Sequence, residues 1–465
     1  MTALVPALLA LALAAPAGPP PGAEPPPPLP LDLSPQPRRY QIERIRIDGL
    51  SHAQESEVRR HLLVAEGELL DEERVLLSRL RLLQLGWFSR VETRVERGSQ
   101  RGLVVLVVEV TERNTLLVTD LIVGGTRAEP FYGGFGLSQQ NFLGRGLGLS
   151  GAFVWGGSPE GRPEDPNRFA LRASFFAPDV AVPGSRLGLV LGASFLVLQG
   201  EEFACGDPDC SAYSRADLGN APRVRYRRVM GEGTVGFRPG PFERLFASYR
   251  VEGVDATDVG FVPSPDGSGP GPAILAGRST VSAITGTYEL DTRDDFFFPR
   301  EGLRATFQVT FSSRLLGSDY EYSRYLLQGE TAYSLLGGLR LQAALGAAQG
   351  SAPFFDRFYG ADWSYFALGP ALGRALELNF STDSRYDAFL AMGGAEYAIP
   401  LWASGGFLRR GFLALGARGV YTTATLGGPR TPFSRTPVSA DVALRFDTPV
   451  GMFNLSAAYL LDIFL

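Results

Sequence analysis

The stretch Ala305–Ser312, which reads ATFQVTFS, alternates apolar and polar residues with a period of two. Successive side chains of a β-strand point to opposite faces, so this period predicts a strand with one apolar and one polar face. The same period recurs in segments 187–197, 339–347 and 442–446. The polar positions are Gly, Ser, Thr, Gln and Arg, which are too polar for a packed core. An apolar outside around a polar inside predicts a transmembrane antiparallel β-barrel.

Composition limits the classes of protein to which this chain can belong. It has 465 residues, of which 20% are charged, and a formal net charge of −5. This acidic balance argues against a nucleic-acid partner. After the N-terminus no segment offers ~18 uninterrupted apolar residues, which excludes a bundle of membrane-spanning helices. The chain also lacks a phosphate-binding loop, a nucleophile elbow and a histidine cluster, so we expect no enzymatic activity, no cofactor and no bound metal.

The N-terminus has the composition of a targeting segment followed by a linker. Residues 4–17 form a short apolar run that ends in small residues near Ala17, which predicts a signal peptide over residues 1–17. No Lys or Arg precedes the run, so either the signal is atypical or translation starts at another codon. Residues 18–39 are rich in proline, which predicts an extended, solvated linker.

The two cysteines, Cys205 and Cys210, lie in a stretch rich in Gly, Asp and Pro between two predicted strands. They predict a small disulfide that closes a loop, which is consistent with an oxidising compartment. A redox or metal site is the alternative. Their spacing is not CxxC, and the two histidines of the chain are far away in sequence, so the disulfide is the favoured interpretation.

Residues 40–112 predict a small α/β domain with the order strand, helix, helix, strand, strand. Ile45 and Ile47 alternate with arginines in the first strand. Ser51 and Asp71 are predicted to cap the two helices, because a side-chain oxygen at such a position can accept a hydrogen bond from the first turn. The segment 103–110 is almost continuously apolar and predicts a buried strand. A generic α+β domain of this order is one interpretation.

This domain resembles a POTRA domain, the periplasmic module of the BamA/TamA superfamily of outer-membrane assembly factors. The matching stretches are Ile42–Leu50 (IERIRIDGL), Leu82–Val91 (LLQLGWFSRV) and Leu103–Glu112 (LVVLVVEVTE). The resemblance implies that the domain receives client polypeptides partly by pairing an exposed sheet edge with an extended chain, which requires no particular client sequence.

Two stretches of the predicted barrel, residues 115–465, carry the same resemblance. Leu137–Gly146 resembles the family's early-strand signature, and Tyr288–Gly302 resembles its Asp-x-Arg-Asp…Pro-x-x-Gly hairpin. The matching residues are Asn141, Gly144, Arg145 and Gly146 in the first motif and Asp291, Arg293, Asp294, Pro299 and Gly302 in the second. The Asp and the Pro-x-x-Gly of the second motif suit a tight turn between strands, so a role of this hairpin in folding and register is favoured over a catalytic one.

The resemblance also implies a long loop that folds back into the lumen and is held there by an arginine. Arg374 occupies the corresponding place, and Glu396, on the strand that follows the loop, is its expected carboxylate partner. The family's second acidic partner aligns with Arg418, so that acid is lost. We expect Arg374 to pair with Glu396 and to hold the loop 351–383 inside the barrel. The alternative is that Arg374 is an ordinary solvated loop residue.

The fold class expected from these observations is mainly β: a barrel of about sixteen strands after one POTRA-like domain. The resemblance implies that the protein inserts or translocates unfolded client polypeptides in the lipid bilayer of the bacterial outer membrane, with its N-terminal domain in the periplasm. Accessory periplasmic or lipoprotein subunits are further expected partners. A passive pore and a structural surface antigen are the alternatives.

Overall fold

The computed structural model divides the chain into two units, Met1–Tyr40 and Gln41–Leu465, and everything below concerns the second. The described residues are 40–124, 131–157, 167–181, 188–203, 223–257, 259, 273–295, 299–335, 337–359, 386–404, 406–423, 438–448 and 451–461. The predicted signal peptide, the proline-rich linker, the cysteine pair and Arg374 all lie outside these residues.

The N-terminal domain has the predicted order of elements. These are β1 (Gln41–Asp48), α1 (Glu55–Arg60), α2 (Glu72–Gln84), β2 (Phe88–Arg97) and β3 (Leu103–Glu112). The central strand β3 pairs in parallel with β1 and antiparallel with β2. Its apolar residues are buried on both faces of the sheet, which explains why its sequence shows no alternation.

One of the two predicted helix caps is confirmed. The Asp71 carboxylate accepts a hydrogen bond from the Arg74 N–H at 3.1 Å and caps α2. Gly86 follows α2 with a φ of +72°, a conformation that glycine adopts without strain. The prediction for Ser51 is wrong: α1 begins after Gln54 and has no side-chain cap. The Ser51 hydroxyl instead donates to Glu112 on β3 at 2.7 Å.

The rest of the described chain forms one antiparallel sheet of fifteen strands in which chain neighbours are sheet neighbours. They are β4 (Leu116–Gly124), β5 (Tyr132–Phe142), β6 (Leu147–Gly156), β7 (Arg168–Ala181), β8 (Gly188–Phe203), β9 (Arg223–Phe237), β10 (Glu243–Thr257), β11 (Gly277–Asp291), β12 (Gly302–Ser312), β13 (Tyr322–Leu335), β14 (Gly337–Gly350), β17 (Phe389–Ala403), β18 (Arg410–Thr423), β19 (Val438–Thr448) and β20 (Gly451–Leu461). Two short strands, β15 (Phe358–Tyr359) and β16 (Tyr386–Asp387), pair with each other.

This sheet confirms the barrel fold class. About sixteen strands were expected, and the described residues form fifteen. Strands β4 and β20 lie beside each other, but no hydrogen-bonded ladder between them is present in the described residues. We call the end of the barrel at which the N-terminal domain attaches the proximal end, and the opposite end the distal end. No helix in the described parts of the chain is long and apolar enough to cross a membrane.

The two faces of the barrel wall follow the predicted alternation. Phe307 and Phe311 of β12 expose 44% and 54% of their surface on the outer face. Thr310 and Ser312, which alternate with them, are buried on the inner face. Thr310 shares a hydrogen bond of 2.9 Å with Thr285 on the neighbouring strand β11. The outer face is therefore the apolar face that contacts lipid.

The inner face differs from the expectation of a wholly polar lumen. Leu196, Tyr226 and Val254, on three adjacent strands, are fully buried in one apolar cluster that includes Phe354. Phe354 belongs to the segment that follows β14, and this segment enters the barrel. The inner positions of these strands are apolar because they pack against the entering segment.

Candidate functional site

The early-strand motif forms the tight turn between β5 and β6. The Asn141 side-chain oxygen accepts a hydrogen bond from the Gly146 N–H at 2.8 Å and closes the turn. Gly144 and Gly146 have φ values of +70° and +69°. Leu143, which directly precedes Gly144, has a φ of +57°. Arg145 is exposed, and its backbone N–H donates to Phe142 at 3.2 Å. The motif residues therefore build the turn that joins these two strands.

The same turn docks on the N-terminal domain, which the sequence did not predict. The Gln54 N–H donates to the Gly144 carbonyl at 3.0 Å, and the Trp87 indole N–H donates to the Gln140 carbonyl at 3.1 Å. A Cβ atom on Gly144 would lie 2.1 Å from the His52 carbonyl oxygen. Glycine is required at this position because the backbones of the domain and the turn approach so closely.

The hairpin motif forms the turn between β11 and β12. The Asp294 carboxylate accepts hydrogen bonds from the backbone N–H groups of Arg300 and Glu301 at 2.8 and 3.1 Å. Gly302 has a φ of +108°, and a Cβ atom there would lie 2.5 Å from the Thr292 carbonyl oxygen. Pro299 precedes these donors in the same turn. The Asp and Gly of the motif are thus explained by turn geometry.

The hairpin motif is also in contact with the N-terminal domain. The Gln84 side-chain amide, at the end of α2, donates to the carbonyls of Asp291 and Arg293 at 3.3 and 2.6 Å. The buried Arg293 guanidinium engages both oxygens of Asp291 at 2.8 and 2.9 Å and contacts Glu330 at 2.5 Å. This network fixes the backbone that Gln84 contacts. Two barrel turns therefore hold the domain at the proximal end.

Glu112 joins the end of β3 to the segment that leads into α1. Its carboxylate accepts hydrogen bonds from the backbone N–H groups of Ser51, His52 and Ala53, at 2.9 to 3.1 Å, and from the Ser51 hydroxyl. Burial raises the pKa of the Glu112 carboxyl, but these hydrogen bonds outweigh it and lower the pKa to about 2. The carboxylate therefore stays ionised and fixes the segment that contacts Gly144.

His61 lies buried behind the same contact. Its ring packs edge-on against Trp87 with a centroid distance of 5.6 Å. Burial lowers the pKa of His61 well below its usual value, and the charges of Arg81, Arg238 and Arg60 lower it further. Arg238 directly follows β9 of the barrel, so the imidazole is kept neutral by groups of both the domain and the barrel.

Glu396 is paired differently from the expectation. It lies on the inner face of β17, and its two carboxylate oxygens accept hydrogen bonds from the Arg445 guanidinium on β19 at 2.5 and 2.7 Å. Arg418, in place of the family's acid, donates to Gln342 at 3.0 Å. Arg374 lies outside the described residues, so its pairing with Glu396 stays a prediction. A carboxylate with two lone-pair sites on each oxygen can accept a second guanidinium.

A different set of residues holds the start of the long loop in the lumen. The Asp356 carboxylate contacts the Arg250 guanidinium of β10 and accepts a hydrogen bond from the Tyr322 hydroxyl at 2.6 Å. The Phe354 ring packs against Tyr226 and Tyr386 with centroid distances of 5.1 and 4.8 Å. We call Phe354 and Asp356, with these partners, the loop anchor.

The sequence pattern does not predict the loop anchor. Its only local signal was a cluster of aromatic residues around one acid in the stretch 353–359, PFFDRFY. A second ionic contact stabilises the same region: the Arg228 guanidinium stacks on the Phe355 ring at 3.7 Å and contacts Glu252 at 2.5 Å. These pairs lie far apart in sequence, so no spacing rule could join them.

The two edges of the N-terminal sheet differ in how their backbone groups are satisfied. On β1, the Ile45 N–H donates to the Glu66 carboxylate at 2.9 Å, and the Ile45 carbonyl accepts from Arg59 at 2.6 Å. The Ile42 N–H donates to the Glu68 carbonyl, and the Ile42 carbonyl accepts a hydrogen bond from the Gly67 N–H. The β1 edge is therefore closed by hydrogen bonds from within the domain.

The outer edge of β2 is open. The Gly98 N–H donates to the Leu103 carbonyl at 3.0 Å, so the backbone groups of Gly98 point toward β3. In an antiparallel ladder this direction alternates along the strand, and the backbone N–H and C=O groups of Arg97, Val95 and Thr93 therefore point away from β3. In the described part of the chain no hydrogen bond reaches these outward groups. Farther along, the outward Val91 carbonyl accepts from Arg79 at 2.8 Å. We call 93–97 the open edge.

Comparison with families of known proteins gives two matches. Residues 141–462 match the family described as the Omp85 superfamily domain. Residues 40–113 match the POTRA family, described as surface antigen variable number repeat. The first match covers more than half of the chain, and the second coincides with the N-terminal domain.

Two curated relatives carry the name outer membrane protein assembly factor BamA. The one from Neorickettsia risticii (strain Illinois) is 24% identical over 289 residues, which cover 62% of this chain and 34% of the relative. The one from Nitratidesulfovibrio vulgaris is 23% identical over 329 residues, which cover 68% of this chain and 36% of the relative. The chain thus spans about a third of the length of these relatives.

Two solved structures share the fold. CdiB from Escherichia coli superposes with a TM-score of 0.55 at 9% identity, over 91% of this chain and 73% of that one. CdiB from Acinetobacter baumannii gives a TM-score of 0.51 at 12% identity, over 91% of this chain and 71% of that one. At these identities the likeness concerns the fold alone.

Proposed function

Because this chain belongs to the Omp85 superfamily, we propose that it assembles other polypeptides into the bacterial outer membrane or moves them across it. The relatives named outer membrane protein assembly factor support this proposal. The barrel is an outer-membrane barrel, and we propose that its proximal end, with the POTRA domain, faces the periplasm. Accessory periplasmic or lipoprotein subunits stay a prediction of the resemblance.

The open edge of β2 is the observation that carries the proposal. An unpaired strand edge offers N–H and C=O groups to an extended chain and binds it through the backbone, whatever its sequence. An unfolded outer-membrane protein consists largely of such strand-forming segments. The closed β1 edge shows that this domain satisfies its other edge, which supports the interpretation that 93–97 is left open for a client strand.

The barrel offers a second place for a client strand. Strands β4 and β20 run in the same direction because fourteen antiparallel steps, an even number, separate the ends of this fifteen-strand sheet. They lie beside each other without a ladder in the described residues. Unpaired backbone groups in lipid cost several kcal/mol each. We propose that an incoming strand, antiparallel to both, satisfies these groups as it folds.

A passive pore is the weaker candidate because the start of the long loop lies inside the lumen near the distal end. The loop anchor and the apolar cluster around Phe354 occupy it, and Asp356 is bonded to two strands of the wall. A segment fixed in this place narrows the path that solutes would take through a pore. The assembly function does not need this path, since its client binds at strand edges.

A proline on the open edge tests the proposal. The Val95 N–H points away from β3, so Val95→Pro removes an outward donor and leaves the β2–β3 ladder intact. We expect the full-length Val95→Pro variant in liposomes to lose most of its ability to assemble an eight-stranded outer-membrane barrel that is added unfolded in urea. The assembled product is measured by its resistance to heat and protease. Val95→Thr keeps the donor and serves as the matched control.

Two readouts separate the outcomes. Both variants should retain a barrel whose electrophoretic mobility changes on heating, which shows that the protein itself has folded. Full assembly activity in Val95→Pro would mean that the client does not pair with this edge. Equal losses in both variants would mean that the valine side chain, rather than the backbone donor, is what the client contacts.

A further inference from the structure

The first and last strands of the sheet, β4 and β20, lie beside each other without a hydrogen-bonded ladder in the described residues. We call this place the seam. The sheet neighbour of β20 is β19, so β20 separates β19 from β4. Backbone groups that lack partners are costly in lipid, so any contact that joins the two sides of the seam bears directly on whether the barrel is open or closed.

An ion pair joins the two sides of the seam at the proximal end. Arg113 lies in the connection 113–115 between β3 and β4, and its guanidinium is 3.7 Å from the carboxylate of Asp447, near the end of β19. The two side chains are only 11% and 7% exposed. Asp447 shares the inner face of β19 with Arg445, which is two residues away. The ion pair therefore reaches across the width of β20 on the luminal side.

The carboxylate of Asp447 is oriented for this contact from its other side. One of its oxygens accepts two hydrogen bonds from the Arg410 guanidinium of β18, at 3.0 and 3.2 Å, and the other oxygen faces Arg113. Arg410 in turn lies 3.8 Å from Asp295, in the turn between β11 and β12. Arg113, Asp447, Arg410 and Asp295 thus form a chain of alternating charge at the proximal end.

The electrostatics of Arg113 agree with this chain. Burial lowers the pKa of the Arg113 guanidinium, and the neighbouring charges of Arg410 and Arg409 lower it as well. The carboxylates of Asp447 and Asp295 act in the opposite direction and favour the charged form. Asp447 is the larger of these two favourable influences, so the guanidinium gains most from staying beside β19.

The docked N-terminal domain fixes the backbone from which the Arg113 side chain extends. The Arg113 N–H donates to the Trp87 carbonyl at 2.8 Å, and the Trp87 indole N–H donates to the Gln140 carbonyl at 3.1 Å. The Gln140 N–H donates to the Thr115 carbonyl at 2.9 Å. These three hydrogen bonds close a ring through the domain, β5 and the connection 113–115. Arg113 is therefore held in place by its backbone as well as by its side chain.

We propose that Arg113 is a strap: its ion pair with Asp447 holds β4 against the far side of the seam and keeps the barrel closed at its proximal end. Coulomb attraction falls off slowly with distance, so the pair acts across β20, where a backbone hydrogen bond cannot reach. In the topology proposed above, a client arrives at the proximal end, and release of the strap opens the barrel to it. The strap itself concerns closure of the barrel and does not depend on assembly activity.

The distance across the seam tests the strap. Spin labels replace Leu121 of β4 and Leu341 of β14, which are exposed on the outer face on the two sides of the seam, in a chain whose two cysteines are replaced by serine. Pulsed electron–electron double resonance should give one narrow distance distribution for this chain in vesicles without a client. Arg113→Gln and Asp447→Asn should each raise the ratio of longer to shorter distances by roughly 2- to 150-fold, the range that corresponds to the coupling within one ion-pair network.

A double-mutant cycle assigns the effect to the ion pair. The variant with both substitutions should give a distribution no broader than that of either single variant, because each substitution already breaks the pair. Arg113→Lys keeps the charge, and its distribution should lie between those of the parent chain and Arg113→Gln. Additive broadening in the double variant would show that the two residues act independently and would overturn the proposal.

Arg244→Gln is the matched control. Arg244 lies at the proximal end of β10, away from the seam, and its guanidinium is 3.5 Å from Glu289 on the neighbouring strand β11. The substitution removes the same charge from an ion pair of similar length, and the distance distribution should stay narrow. Equal broadening in this control and in Arg113→Gln would overturn the proposal, as would a narrow distribution in Arg113→Gln.

Three further readouts keep the strap separate from folding, docking and assembly. Heat-dependent mobility shows that each variant has folded. The hydrogen bond from the Arg113 N–H to Trp87 does not involve the side chain, so the domain should stay docked in Arg113→Gln, as measured by the distance between labels on domain and barrel. Undocking in this variant would assign the ion pair to the dock and overturn the strap. Val95→Pro should leave the seam distance unchanged, whatever its assembly activity.

Discussion

The dock between the POTRA domain and the barrel should break when Gly144 becomes alanine. A non-glycine residue at a φ of +70° costs about 1–2 kcal/mol. The new Cβ would lie 2.1 Å from the His52 carbonyl oxygen, a backbone atom that cannot rotate away. The turn must therefore move and give up the Gln54–Gly144 hydrogen bond, worth about 1 kcal/mol. A total of about 2–3 kcal/mol shifts the docking equilibrium by roughly 30- to 150-fold.

Pulsed electron–electron double resonance, which measures the distance between two spin labels, reports this docking equilibrium. Spin labels on the exposed positions Ser99 of the domain and Arg300 of the proximal hairpin report the distance between domain and barrel. The native cysteines Cys205 and Cys210 are first replaced by serine. Wild type should give one narrow distance distribution, and the alanine variant a broad one that includes longer distances.

Gly67 supplies the matched control for this experiment. Its φ is +86°, but a Cβ atom there would meet nothing within 4 Å. Gly67→Ala therefore carries the backbone cost without a clash against the barrel, and its distance distribution should stay narrow. An unchanged distribution in Gly144→Ala would refute the docking role of the turn. Equal broadening in both variants would show that strain within a turn, rather than the close approach, is responsible.

Three further predictions concern the domain, the loop and the wall. The depressed pKa of Glu112 contributes up to about 3 kcal/mol to the free energy of unfolding, fully present above pH 4.5 and lost as the pH falls toward 2. Glu112→Gln should therefore lower the urea midpoint of the domain at pH 7 and flatten its acid dependence, followed by Trp87 fluorescence in a background whose other three tryptophans are replaced by phenylalanine. Asp356→Asn removes the nearer of the two carboxylates that contact the buried Arg250 and leaves only Glu252 at 3.8 Å. Breaking this buried pair should cost up to about 3–5 kcal/mol, so the loop should leave the lumen and channel conductance should rise. Val309→Arg should cost about 2–4 kcal/mol in refolding into vesicles, and the inward-facing Gln308→Arg clearly less.

The parts of the fold that the sequence predicts are those set by local pattern. The period of two around Phe307 identifies the strands and their outer face, and the order of elements in the N-terminal domain follows from alternation and Asp71. For Gly144, the glycines around it indicate a local turn, but its contact with His52 joins residues 92 positions apart and could not be predicted from local sequence.

The contents of the lumen were not predictable in the same way. The alternation shows which residues face inward, but it does not show what they contact. Arg250 and Asp356 are separated by 106 positions and Glu396 and Arg445 by 49. Such pairs depend on the closure of the barrel and on the path of a loop, which no periodicity encodes. The apolar inner positions of β8 to β10 have their explanation only in the segment that packs on them.

The most direct test of the assembly function is site-specific photo-crosslinking at the open edge in living cells. A photoreactive residue replaces Thr93, and the same residue replaces Arg44 on the closed β1 edge as the control. The proposed function predicts that newly synthesised outer-membrane barrel polypeptides crosslink to position 93 during a short labelling pulse and disappear from it during the chase. Absence of such adducts at position 93, or equal adducts at position 44, would contradict it.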